Sequence, residues 1–162
     1  MLHTEDAHLN KKENEAYLKS LNTRHNEGVF PQLKAIHEEV FSKTDCLSCA
    51  NCCRTLPALL NASDIKRIAK HIGINTKQFI RSFVLEDING EMMLNGVPCK
   101  FLNDDNSCSI YEIRPDACRR YPHTDEKEYI RRATLNLANT LTCPAAYEIL
   151  EKLKKTLPAH DI

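Results

Sequence analysis

Apolar residues return at three- and four-residue intervals along five stretches of the chain, the period of a helix with one buried face. Ala16, Tyr17 and Leu21 do so inside a charged stretch and predict a weakly amphipathic helix over about 10–25. Gly28 and Pro31 punctuate the sequence there. Leu33, Ile36, His37 and Val40 then predict a helix from Pro31 to about Lys43, with proline in its first turn. Ser63-Asp64 reads as the N-cap of a helix carrying Ile65, Ile68, Ala69 and Ile72, with Gly73 just past its end. Thr76 starts another through Phe79, Ile80 and Phe83. The last helix opens at Pro144 and buries Ala146, Ile149, Leu150, Leu153 and Leu157; Pro158 stops it. Glu148–Lys152 and Glu151–Lys155 are four apart on its wet side.

Between these helices the pattern changes. Asn89-Gly90 and Asn95-Gly96 are turn dipeptides. Cys99-Lys100-Phe101-Leu102 and Cys108-Ser109-Ile110-Tyr111 flank the polar run 103–107, which predicts a hairpin or a metal knuckle of similar shape. Arg114-Pro115 opens a short helical turn that ends before Tyr121-Pro122. The stretch 125–139 fits helix and extended chain alike, and cysteines crowd 46–53 so densely that little regular structure is expected. The fold expectation is a mainly α, small helical domain built around a cysteine-rich metal centre, with one short β-hairpin. Residues 1–45 read as an N-terminal helical extension and residues 46–157 as the cysteine-cluster domain.

Charge excludes one class of function. The chain has 162 residues, with Lys plus Arg at 22 and Asp plus Glu at 22, so its net charge is zero. A protein built mainly to grip nucleic-acid phosphates carries a basic excess. The start of the sequence is polar and acidic and predicts no signal peptide. No run reaches the roughly 18 apolar residues of a membrane span. The expectation is a cytoplasmic protein with no nucleic-acid and no membrane partner.

Cysteine brings the chemistry. The eight are Cys46, Cys49, Cys52, Cys53, Cys99, Cys108, Cys118 and Cys143. In a reducing compartment, clustered cysteines serve as metal ligands or redox groups more often than as structural disulfides. Cys-x2-Cys spacing turns two thiolates inward on one ion while backbone amides point at the sulfurs. Adjacent Cys52 and Cys53 suit one ion poorly, so one of them bridges, serves a second metal or stays a thiol. Eight thiolates suffice for two four-coordinate sites; alternatively, four hold one iron–sulfur cluster. A site of four thiolates around a divalent ion carries a formal charge of about −2, and buried charge needs compensation. Arg54, Arg114, Arg119 and Arg120 adjoin cysteines and can supply it. The competing reading has Arg114, Arg119 and Tyr121 lining a pocket for an anionic cofactor, substrate or partner carboxylate. His123 follows the last motif segment; a hydrogen-bonded histidine is expected there rather than a ligand.

Four ordered segments carry a resemblance. Cys46-Leu-Ser-Cys49-Ala-Asn-Cys52-Cys53, Pro98-Cys99-Lys100-Phe101-Leu102, Cys108-Ser109-Ile110-Tyr111 and Arg114-Pro115-Asp-Ala-Cys118-Arg119-Arg120-Tyr121-Pro122 together resemble the bacterial CxxCxxCC cysteine-cluster family over about residues 46–144. The resemblance implies a zinc- or iron-chelating domain and a metal-chelating role for the eight cysteines. A distant branch of the family is associated with flagellin lysine N-methylases, but four glycines and no Gly-rich nucleotide loop give no ground to carry methyl transfer over. Three classes of function compete. One is a zinc or iron chelator. Another is an iron–sulfur enzyme, redox or methyltransferase-like. The third is an adaptor whose metal only holds the fold while its N-terminal helix docks an unidentified protein.

Overall fold

Helix dominates, as the periodicity predicts. The computed structural model describes residues 4–22 and 28–158. In chain order these form α1 (Thr4–Leu9), α2 (Lys11–Leu21), α3 (Val29–Phe41), α4 (Cys46–Cys49), α5 (Asn51–Thr55), α6 (Ala62–His71) and α7 (Thr76–Phe83). The strands β1 (Val84–Glu86) and β2 (Met92–Leu94) follow, then α8 (Asp116–Arg120), α9 (Ala133–Thr142) and α10 (Pro144–Thr156). Short 3-10 turns span Tyr111–Ile113 and Lys127–Arg131. The described residues contain no helix long and apolar enough to cross a membrane. The chain divides into two compact units, one made of 1–45 with 122–162, the other of 46–121.

In the first unit, the stripes of α2, α3 and α10 merge into one core. Tyr17, Leu18, Leu21, Leu33, Ile36 and Val40 pack with Tyr129, Leu137, Ile149, Leu150 and Leu153. At roughly 1.5–3 kcal/mol per buried large apolar side chain, these contacts are the main stabilising contribution here. The Tyr17 hydroxyl donates to the carbonyls of Leu153 (3.1 Å) and Leu157 (2.9 Å) at the end of α10, tying α2 to the last helix. The ambiguous stretch 125–139 resolves as a 3-10 turn leading into α9. The 10–25 helix ends at Leu21, and its predicted continuation over 23–25 lies outside the described residues.

The second unit has its own core of Leu60, Ile65, Ile68, Phe79, Leu94, Phe101 and Ile110. Asn61, not Ser63-Asp64, caps α6. Its side chain accepts from the Asp64 backbone N–H (2.8 Å) while Asp64 accepts from the Asn61 N–H (3.1 Å), a reciprocal capping box. The cap therefore lies two residues before Ser63, the helix begins at Ala62, and Asp64 is its third residue. Gly73 is left-handed at φ 75°, with Ile74 N–H on Ala69 O and Gly73 N–H on Lys70 O, the Schellman ending that glycine favours.

The hairpin lies at 84–94 rather than at 99–111. Val84, Leu85 and Glu86 pair antiparallel with Leu94, Met93 and Met92. Asp87, Asn89 and Gly90 (φ 83°) close the turn, with the Asp87 carboxylate accepting from the Asn89 and Glu91 N–H groups. Residues 99–108 make a single bridge, Leu102 to Cys108. The Cys99 and Cys108 carbonyls accept from Leu102 N–H and Tyr111 N–H, so they close local turns and no longer ladder forms. Nor is 46–53 irregular: Ala50 N–H donates to Cys46 O (2.9 Å), and left-handed Ala50 (φ 47°) joins two one-turn helices.

Candidate metal centre

Each cysteine of the second unit is set by a different local device. Cys46 and Cys49 stand at the two ends of α4 and are exposed; Cys52 and Cys53 lie on α5, half-buried. Arg54 donates to Cys49 O (2.9 Å) and to the Asn106 side-chain oxygen. Asn106 also donates to Ser48 O (3.1 Å), so the 103–107 loop staples the α4–α5 segment at two points. Asn106 is left-handed at φ 70°, a conformation asparagine tolerates. Cys99 N–H donates to Cys53 O (2.8 Å), which fixes the second cysteine segment directly on the first.

Cys99 and Cys108 sit in matching knuckles. Backbone N–H groups of Phe101 and Leu102 point at the Cys99 sulfur, and that of Ile110 at the Cys108 sulfur. Such amides favour the thiolate form and are typical of thiolate–metal loops. Cys118 is placed by α8, and α8 by Asp64 of α6. The Asp64 carboxylate accepts from Asp116 N–H (3.2 Å) and from Arg67 (2.6 Å). Arg67 in turn reaches Ile113 O (3.3 Å) and Arg114 O (3.0 Å). Asn61 donates to the Asp116 carboxylate (3.1 Å).

The result is a neighbourhood of four sulfurs. Burial pushes the Cys118 thiol up to about 12, and the nearby Cys53, Cys99 and Cys108 add to the rise. Burial likewise raises Cys99, with Cys53 and Cys108 contributing, and raises Cys108, with Cys53 contributing. All six pairs among Cys53, Cys99, Cys108 and Cys118 therefore lie within electrostatic range of one another. Cys53 is raised first by its hydrogen bond with the Cys52 side chain, then by burial. Arg114 acts oppositely on Cys108 and Cys118, and Arg54 on Cys53, as cations beside incipient thiolates must. The sulfurs are gathered but not closed into a coordination polyhedron: among the described residues, no group of three His, Cys, Asp or Glu side chains is set to hold a metal as it stands. By donor chemistry the set fits zinc or iron, for which thiolates are preferred ligands.

A protein-family model described as "putative zinc- or iron-chelating domain", CxxCxxCC, matches residues 45–144. The chain belongs to the CxxCxxCC family. No curated protein and no solved structure matches it. The family match spans every segment that carries a cysteine of this CxxCxxCC domain, and includes Cys143. That residue belongs to the first unit, where it precedes Pro144 at the start of α10.

Arg114 and Arg119 bond to the backbone just ahead of α8. Arg114 lies over the Tyr111 ring, 3.9 Å from its centroid, and donates to Tyr111 O (2.6 Å). Arg119 donates to Arg114 O (3.3 Å) and to Glu112 O. Both guanidinium groups thus brace the turn that leads into Cys118. A groove of about 220 Å³ is lined by Cys108 together with His71, Ser109, Ile110, Tyr111, Glu112 and Ile113. In the first unit, His123 pairs through Nδ1 with Glu126 (2.8 Å), which also holds Arg132 (2.7 Å). The residues that sequence reasoning passed over are Asp64, Arg67 and Asn106. Asp64 showed its capping position, but nothing in a linear pattern links it to a cysteine more than fifty positions away.

Proposed function

We propose that the protein chelates one zinc or iron ion through Cys53, Cys99, Cys108 and Cys118, as a binding module rather than through a reaction of its own. The observation that carries this reading is the mutual proximity of one sulfur from each of four separate sequence segments, two of them in amide-lined knuckles. Four thiolates in a tetrahedron suit zinc or iron, and the bound ion would offset the burial, and the smaller mutual repulsion, that favour the protonated thiols. Arg54 and Arg114 would temper the remaining negative charge. Of the two adjacent cysteines, Cys53 is the ligand in this reading and Cys52 its hydrogen-bonding neighbour. No cysteine is in a disulfide, which suits a reducing compartment such as the cytosol.

The test is anaerobic purification followed by elemental analysis and a visible spectrum, on the parent chain and on Cys→Ser variants. The reading expects loss of zinc or iron in C53S, C99S, C108S and C118S. A colourless zinc protein indicates a simple tetrathiolate. Broad visible absorption with inorganic sulfide identifies an iron–sulfur centre instead. Full metal content in all four variants would overturn the assignment.

A further inference from the structure

The small sheet of the second unit keeps one edge open. Leu60 N–H donates to Met92 O and Leu94 N–H to Ala58 O (both 2.8 Å), so residues 58–60 cover the far side of β2. On its near side, Asn95 N–H donates to Phe83 O (2.9 Å) and Asp87 N–H to Glu91 O (3.0 Å). Backbone groups alternate in direction along an antiparallel strand. With Phe83, Leu85 and Asp87 turned toward β2, the carbonyls of Val84 and Glu86 and the Glu86 N–H face away from it. No strand among the described residues pairs there. The Val84 N–H is already held by Ile80 O at the end of α7. What flanks this edge is ordered by charge. Exposed Arg81 precedes β1, and Lys100 joins it there, its Nζ donating to Ser82 O (3.0 Å). Glu86, Asp87 and Glu91 gather at the other end. Apolar side chains run alongside: Ile80 before the strand, Leu85 at its centre (55% exposed) and Ile88 beyond it (100% exposed).

We propose that a second copy of this chain docks on β1, edge to edge and antiparallel, about a two-fold axis at Leu85. A strand that is basic at one end and acidic at the other complements itself when reversed, so the edge supplies both halves of its own interface. Val84 of each copy lies opposite Glu86 of the other, and each Glu86 N–H donates to the opposing Val84 carbonyl. The two Leu85 side chains meet as a non-hydrogen-bonded pair, in which side chains stand closest. Ile88 of each copy falls opposite Ser82 of the other, at the end where Ile80 leaves α7. Arg81 and Lys100 of one copy then face Glu86, Asp87 and Glu91 of the other. Exposed strand edges invite this pairing because their N–H and C=O groups are already aligned for it. Two main-chain hydrogen bonds and a few side chains make a small contact, so the dimer is weak and depends on concentration.

The experiment is sedimentation velocity on the full chain, kept reduced, from about 10 μM to about 1 mM, a range that reveals dissociation constants up to the millimolar. The parent should pass from monomer to dimer across it. Glu86→Pro removes the outward N–H but no bond of the β1–β2 ladder, since proline is accepted on a strand edge whose N–H faces solvent. Leu85→Lys sets like charges directly opposite each other across the axis. Each variant should raise the dissociation constant about tenfold or more. Circular-dichroism melts at low concentration check that the monomer still folds. If Glu86→Pro fails to fold, Leu85→Lys decides, together with amide hydrogen exchange of the parent, in which protection of the Glu86 N–H should rise with concentration. A parent that stays monomeric throughout would overturn the proposal, and the edge would then be left for a strand of another protein. A dimer that keeps its affinity in the folded variants, or leaves Glu86 exchange unchanged, would also overturn it, because the contact would lie elsewhere, such as at the 58–60 edge.

Discussion

Asp64→Ala removes a carboxylate that lies far from Cys118 in sequence yet sets its position. The side chain is 1% exposed and accepts from the Asn61 N–H, the Asp116 N–H and Arg67. Losing the reciprocal cap of α6 costs about 1 kcal/mol. The Asp116 N–H loses a charge-assisted acceptor, worth about 1.5–3 kcal/mol when buried. The Arg67 pair adds little, since the guanidinium is 30% exposed and solvent screens it. A total of about 3 kcal/mol lowers the melting temperature by roughly 6–12 °C for a chain of this size. Because α8 is released at its N-terminus, metal retention should fall as well. Thermal melts by circular dichroism and zinc competition with a colorimetric chelator measure the two effects. Asp64→Asn keeps one acceptor oxygen and should lie between the parent and the alanine variant. A melting temperature within about 1 °C of the parent, with unchanged zinc affinity, would refute the claim that Asp64 links α6 to the cysteine on α8.

Other outcomes follow from the same structure. Tyr129 is fully buried, and its hydroxyl has no hydrogen-bond partner among the described residues, so Tyr129→Phe should leave stability unchanged or raise it by up to about 1 kcal/mol in a urea titration. The thiols of Cys53, Cys99, Cys108 and Cys118 all stand above their ordinary range in the folded, metal-free chain. Their contribution to stability is therefore complete below the ordinary thiol pKa of about 8.5 and is lost as the pH rises above it, since the unfolded chain ionises first. Melts of the apo protein from pH 7 to pH 10 should show that loss, and the zinc-loaded protein should not. Arg114→Gln removes the cation beside Cys108 and Cys118 and should weaken zinc binding by about tenfold in chelator competition, as loss of an outer partner does.

Local rules carried much of the fold directly from sequence. The stripes of α3, α6, α7 and α10, the left-handed Gly73 ending and Pro144 at the head of the last helix all follow from side-chain periodicity and backbone preference, which neighbours in the chain suffice to settle. The four ordered cysteine segments likewise gave the family away, because the spacing of donors is itself a chemical requirement. Local rules also misplaced two features. Cys99–Leu102 and Cys108–Tyr111 read as a hairpin or as a metal knuckle of similar shape, and of the two the hairpin falls, because their carbonyls close turns around the cysteines. The 46–53 segment read as irregular, yet a left-handed Ala50 lets two single helical turns follow one another.

What spacing alone left open is how eight thiols divide. Only the tertiary structure leaves Cys46 and Cys49 exposed while it brings Cys53, Cys99, Cys108 and Cys118 within electrostatic range of one another. The hydrogen bonds behind this run from Cys99 to Cys53, from Asn106 to Ser48 and from Asp116 to Asp64, across 46 to 58 positions of chain. A linear pattern records which side chains can donate and accept. Which donor meets which acceptor across such distances is decided by the packing of Phe79, Phe101, Ile110 and their neighbours into one core, and that is a property of the folded chain alone.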